Sequence, residues 1–294
     1  MKKKSPAFIE LFRKFIEYHR RPDLPSELKK YGTIRTYEIR YHKIVMFLEQ
    51  NKLLHIYPEQ VTPQIAWQLY YWVREWACQN YSVRVTELCR CVLCWGVEKE
   101  IIEKNNLLYF KLKKEKPRHP VYLLPEEIKL LEFTRLSSVP LQKTADMFLV
   151  QCYTGLDYGD LITLDRSHIV YNAKDGRFYI VKSRCKSGCE AVIPFFDKTK
   201  AMLEQYNYKM PRICNGTYNR FLKEVATIVG IDTKLTSHVG RKTFTMIMLN
   251  YEGYSIEAVS KMSGHSSIRT TETYYAKANI NLISREMDRL KNAG

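Results

Sequence analysis

Between Leu235 and Tyr275 the sequence places His238, Arg241, His265 and the adjacent pair Tyr274 and Tyr275. These side chains supply a permanent guanidinium, two imidazoles able to carry protons near neutrality, and a phenol. Such a set suits chemistry on a phosphate. His238 and Arg241 stand at i and i+3, so a helix puts them on one face. Ser237 is the expected N-cap, which sets both in a first turn whose backbone itself favours phosphate.

The composition fits such a substrate. Among 294 residues, Lys and Arg number 47 against 31 acids, a formal net charge of +16. Residues 1–120 hold 23 of the cations against 13 acids, and the remainder 24 against 18. Both halves are basic, as expected if both touch one long polyanion, and nucleic acid is the expected partner because neutralised phosphates release counterions. A hydrophobic content of 45% is ample for a packed core. No run approaches eighteen uncharged apolar residues, which argues against a membrane span. The N-terminus, M-K-K-K-S-P, leads into charged sequence and does not read as a signal peptide. The eight cysteines are then expected as free thiols in a reducing compartment. Cys89, Cys91 and Cys94 form C-x-C-x-x-C, but no second His or Cys group follows at zinc-finger spacing. They lie in a helical pattern and are expected as small apolar core residues.

The elements that must position these groups read as mainly α. Residues 5–20 carry Phe8, Leu11, Phe12, Phe15 and Ile16 on one helical face. A second helix is expected from about Thr33, a third behind the Thr62-Pro63 cap, and a fourth over roughly 82–102. The third is expected to bury Ile65, Leu69, Tyr70, Val73 and Trp76. These make an N-terminal helical domain, 1–110, and K-L-K-K-E-K-P-R marks a basic linker, 111–120. The second domain, 121–294, opens with L-P-E-E-I and carries a helix stopped at Gly155. One small hairpin, F-Y-I-V to A-V-I-P-F, turns near Ser187-Gly188. Helices follow to the end, with Asn215, Ser237, Ser255 and Ser267 as expected caps.

H-x-x-R, then G-H, then a tyrosine nine residues on, in a mostly helical basic domain, resembles the tyrosine recombinases, the phage integrase family. S-G-H-S-S-I-R-T-T-E-T-Y is close to that family's last motif. The resemblance runs over nearly the whole chain: a helical core-type DNA-binding domain, a basic linker, and a catalytic domain with one hairpin. It implies that Tyr274 attacks the scissile phosphate to form a 3′-phosphotyrosyl link, while Arg241 holds the non-bridging oxygens. His238 would orient or deprotonate the nucleophile, His265 would bond a phosphate oxygen, and Lys186 in the hairpin would protonate the leaving oxygen. One helical step turns a side chain by about 100°, so only one of Tyr274 and Tyr275 can face the phosphate. The spacing from His265 selects Tyr274. The resemblance implies no cofactor, metal or ATP.

One position departs from the family. Its first arginine follows T-G-L, and here T-G-L is followed by Asp157. As a bare residue Asp157 reads as a helix-start acid; beside a scissile phosphate an anion would repel. Either another cation replaces the missing arginine, or the protein binds DNA and cleaves poorly. Arg184 is the expected substitute, because it lies two residues before Lys186 and a strand would point both to one face. A branch of the family from Bacteroides-type mobile elements resembles this chain in lacking the first arginine and keeping Arg-x-Lys. Arg177 and Lys182 are weaker candidates.

The resemblance therefore implies a site-specific recombinase that clamps double-stranded DNA, with four protomers on two paired sites. A bacterial, cytoplasmic and nucleoid-associated location goes with it. The tail, with Ile280, Ile283, Met287 and Leu290 on one side, either packs on its own domain or docks on a neighbouring subunit. No further domain is read before residue 5, so additional control is expected to need accessory DNA-bending proteins. A cleavage-deficient DNA-binding relative and a strand-passing topoisomerase are the alternatives.

Overall fold

Phe8, Leu11, Phe12, Phe15 and Ile16 recur at three- and four-residue intervals, and all five are buried on α1 (Phe8–Arg20). The computed structural model describes residues 5–23, 25–115 and 120–275, with positions 283, 284, 287, 288 and 291. The side chains of 273–275 fall outside this set. The chain forms two compact units, Met1–Lys116 and Pro117–Gly294.

In the first unit α1 is followed by α2 (Tyr31–Gln50), α3 (Pro63–Arg74) and α4 (Gln79–Glu98). Thr62 caps α3, its Oγ1 accepting the Ile65 N–H at 3.5 Å, with Pro63 in the first turn. α4 packs against the other three helices. Two expectations fail here. Trp76 is exposed, because α3 ends at Arg74 and the indole lies against Trp72 beyond the helix. Of the three clustered cysteines only Cys89 is buried; Cys91 is exposed and Cys94 intermediate. α4 buries the stripe Leu88, Cys89, Val92 and Leu93, and a step of two residues turns Cys91 to the far side.

The second unit opens with α5 (Pro125–Phe133), where Glu127 reaches back to the Leu124 N–H at 2.8 Å. α6 (Val139–Thr154) is apolar nearly all round and is the central helix. It is followed by α7 (Tyr158–Leu161) and a sheet of three antiparallel strands in the order β1 (Ile169–Asn172), β2 (Arg177–Ser183), β3 (Glu190–Pro194). Only the β2–β3 hairpin was expected from sequence; β1 adds the edge, pairing Ile169 with Ile180. The remaining helices are α8 (Asp197–Gln205), α9 (Asn215–Val229), α10 (Ser237–Asn250), α11 (Ile256–Met262) and α12 (Ile268–Tyr275). α5, α8, α9 and α10 all pack on α6. Its buried Gln151 is satisfied, donating to the Leu156 carbonyl at 2.9 Å and accepting from the Tyr218 hydroxyl at 2.8 Å.

Ser255 and Ser267 act as expected, accepting the Ala258 and Arg269 N–H groups. Asn215 and Ser237 each fall one residue inside their helices, with Cys214 and Thr236 at the cap positions. In the tail, Ile283 and Met287 are exposed; Ile280 and Leu290 lie outside the described residues. Among the described residues no helix is long and apolar enough to cross a membrane.

Candidate active site

Thr236 leaves the chain extended, with φ −144° and ψ 159°, and α10 starts behind it. The Ser237 N–H, which at the first helical position has no partner within the helix, donates to Asn219 Oδ1 at 2.9 Å. This start puts His238 and Arg241 on one face, with different surroundings. The Arg241 residue is 3% exposed, whereas the His238 side chain is 61% exposed.

Arg241 is held by two backbone carbonyls. Its Nη1 donates to the Gly155 oxygen at 2.6 Å and its Nη2 to the Ser263 oxygen. Both carbonyls are helix-end groups, at the C-caps of α6 and α11, where unsatisfied oxygens and the helix dipole favour a cation. Gly155 makes the first possible: it sits at φ +68°, and a Cβ there would lie 2.4 Å from Phe244 Cδ1.

Arg184 reaches the same corner from the hairpin. Its Nη1 donates to the Gly264 oxygen at 3.3 Å, next along the chain from the carbonyl that holds Arg241. Its Nη2 bonds Asp157 Oδ2, and its Nε lies 3.7 Å from Asp160 Oδ2. Gly264, at φ +59°, admits the arginine stem: a Cβ would stand 2.8 Å from Arg184 Cδ. Contrary to the expectation from strand alternation, Arg184 does not lie on a strand. β2 ends at Ser183, and Arg184 opens a tight turn in which the Gly188 N–H donates to the Arg184 oxygen at 2.8 Å. Lys186 stands in that turn and is exposed.

Asp157 occupies the N-cap position of α7, as its helix-start reading implies, but makes no cap bond there. Its carboxylate bridges instead: Oδ2 meets Arg184, and Oδ1 lies 3.5 Å from His238 Nδ1. Burial pushes its carboxyl up. The nearby His238 imidazole and the charges of Arg241 and Arg184 outweigh that, and hold it well below the usual carboxylate range.

His265 follows Gly264, with its Nδ1 2.8 Å from Thr271 Oγ1. Burial, then the charges of Arg241 and Arg184, lower its pKa to about 4, so it is neutral near pH 7. α12, which packs on α11 and α10, carries the backbone of Tyr274 and Tyr275. Their side chains, and so the choice between them, lie outside the described residues.

Asp160 was not singled out from sequence. It is 2% exposed, takes the Cys185 N–H on Oδ1 at 2.7 Å, and so straps the hairpin turn to α7. The signal was there as D-x-x-D over a single helical turn, Asp157 to Asp160. Lys182 does not join the site's cations. It faces inward on β2, with its amino group 3.0 Å from the Thr163 oxygen and 2.9 Å from His168 Nε2. Arg177 lies at the exposed start of that strand. Among the described residues no cluster of three or more His, Cys, Asp or Glu could hold a metal ion.

The sequence profile of the phage integrase family matches residues 123–280. Tyrosine recombinase XerA of Saccharolobus solfataricus is 28% identical over 159 residues, 51% of this chain and 52% of that protein. The chain spans about half the length of the first curated relatives it matches. Among solved structures, the Tn1549 transposon integrase in complex with a circular intermediate DNA is similar in fold, with a TM-score of 0.66 and 20% identity. That similarity covers 97% of this chain and all of that one. A lambda integrase tetramer bound to a Holliday junction aligns with a TM-score of 0.69 at 18% identity, over 95% of this chain and 82% of that one.

Proposed function

Because the chain belongs to the phage integrase family, we propose that it is a site-specific recombinase that cuts and rejoins double-stranded DNA through a 3′-phosphotyrosyl intermediate. The observation that carries this reading is the convergence of Arg184 and Arg241 on consecutive carbonyls of one corner, with His238 and His265 beside them. Two guanidinium forks fixed this way can hold both non-bridging oxygens of a phosphodiester and stabilise the charge of a pentacovalent transition state. Arg184 thus takes the part of the family's first arginine, whose usual position is Asp157.

In the proposed reaction the Tyr274 oxygen forms a bond to phosphorus as the bond from phosphorus to the 5′ oxygen breaks. His238 takes the phenolic proton, Lys186 gives a proton to the departing oxygen, and neutral His265 bonds a phosphate oxygen. The covalent link conserves the bond energy, so rejoining needs neither ATP nor a metal. Both units are basic and both contact the duplex. The lambda integrase tetramer supports four protomers on two paired sites; a bacterial cytoplasm close to the nucleoid and accessory DNA-bending proteins as further partners complete the proposal.

The test is strand exchange between two DNA molecules carrying the site found next to the gene, with EDTA present and ATP absent. Recombinant products are expected under those conditions. Tight, site-specific binding with no strand transfer in any buffer would overturn the reading.

A further inference from the structure

The carboxylate of Asp157 stands where the family has a cation, and both of its oxygens are taken by groups assigned to the reaction. Oδ2 meets the Arg184 fork, and Oδ1 faces His238 Nδ1 at 3.5 Å. An anion whose only effect was repulsion would gain nothing from such a place. This one is compensated by Arg184 and lies near Arg241, so it adds little net negative charge to the site.

We propose that Asp157 is a positioning residue for strand cleavage: it fixes the Arg184 fork with one oxygen and holds the His238 imidazole with Nδ1 protonated with the other. A carboxylate accepts and cannot donate, so a ring nitrogen that bonds it carries the hydrogen. That leaves Nε2 with its lone pair open as the acceptor for the phenolic proton. When Tyr274 attacks, the proton moves from the phenol to Nε2, and the imidazolium that forms lies against the carboxylate. The return step moves the same proton back. The substitution that looked like damage at T-G-L-D is then a rearrangement, in which the cation moves to Arg184 and the acid orients both it and the base. This inference rests on the assignment of His238 as proton acceptor.

The test is Asp157→Asn, with Asp157→Glu as the conservative comparison. In the Asn variant the amide oxygen turns to Arg184, which only donates, so the amide nitrogen must face His238. It then donates to Nδ1 and forces the hydrogen onto Nε2. Histidine nitrogen NMR on full-length protein, above the pH at which the ring is neutral, reads the tautomer directly. The wild type is expected with hydrogen on Nδ1, the Asn variant on Nε2, and the Glu variant as wild type. Single-turnover cleavage is expected to fall at least about 100-fold in the Asn variant, as for other imidazoles held in the wrong tautomer. DNA affinity should stay within about threefold, and the Glu variant should recover much of the rate. An unchanged tautomer in the Asn variant, or faster cleavage with tighter DNA binding, would overturn the proposal. Because the tautomer is read without DNA, absence of cleavage in the wild type would count against the enzyme reading and leave the tautomer result standing.

Discussion

Arg184 and Arg241 come from different elements and donate to consecutive peptide oxygens, Gly264 and Ser263, at the end of α11. The two forks are therefore brought side by side by one short stretch of backbone, whose turn at Gly264 (φ +59°) sets where the second oxygen points. The arrangement depends on what the corner admits. A methyl group on Gly264 would stand 2.8 Å from Arg184 Cδ and 3.2 Å from Ala191 Cβ.

Gly264→Ala is expected to displace the Arg184 stem and to strain a left-handed backbone position, with a stability loss of about 1–2 kcal/mol. Cleavage should fall by more than the loss of folded protein accounts for. Thermal unfolding and single-turnover cleavage on the same preparation check both. Unchanged cleavage would separate Arg184 from the site.

Arg184→Lys keeps the charge and loses the fork. Bidentate sites do not accept lysine in place of arginine, so the cleavage rate should drop on the order of 100-fold, as when one transition-state donor is removed. Arg184→Ala should form no detectable adduct, while DNA affinity falls only a few-fold in a gel-shift titration. Wild-type cleavage by the Ala variant would remove Arg184 from the mechanism.

Lys186 and Lys182 are separable by leaving-group chemistry. If Lys186 donates the proton, Lys186→Ala should lose cleavage of ordinary DNA and regain it on a substrate with sulfur at the 5′ bridging position, since a thiolate leaves without an acid. Lys182→Met should instead lower the melting temperature, because the Thr163 carbonyl and His168 lose a buried partner. If its cleavage is impaired, the sulfur substrate should give no selective rescue.

His265 gives the folded protein a pH signature. A histidine titrates near 6.5 when unperturbed and here near 4. Between those values the unfolded chain binds the proton and the folded one does not. Stability attached to this group is therefore lost as pH falls from about 6.5 to 4. The depressed Asp157 carboxyl acts in a lower window: its contribution is present above 3.8 and is lost only as pH falls below that. His265→Gln should flatten the melting temperature between pH 6.5 and 4, as followed by circular dichroism. An unchanged slope there would contradict the half-buried neutral ring.

Much of the frame was legible because it is written in periodicity and caps. The α1 stripe from Phe8 to Ile16, the Thr62-Pro63 start and the Gly155 stop each follow from a local rule, and each appears as expected. Local rules failed where a residue's fate is set by a distant partner. Cys91 follows its helical pattern and faces outward because α4 buries the neighbouring stripe. Asp157 reads locally as a helix-start acid, and only folding brings Arg184 and His238 to it. Arg184 reached the right place for a reason the alternation of a strand did not contain, since the strand ends one residue earlier. Asp160 went unseen because its partner is a backbone N–H in a turn, which no sequence motif announces.

In the proposed reaction a tyrosine joins covalently to DNA at a corner held by Arg184 and Arg241. Its most direct test is a nicked suicide substrate carrying the cognate site, offered to wild type, Tyr274→Phe and Tyr275→Phe, with adducts resolved on a denaturing gel. A covalent protein–DNA adduct is expected for wild type and Tyr275→Phe, and none for Tyr274→Phe. An adduct that survives Tyr274→Phe, or no adduct from wild type that binds the site tightly, would contradict the proposed reaction.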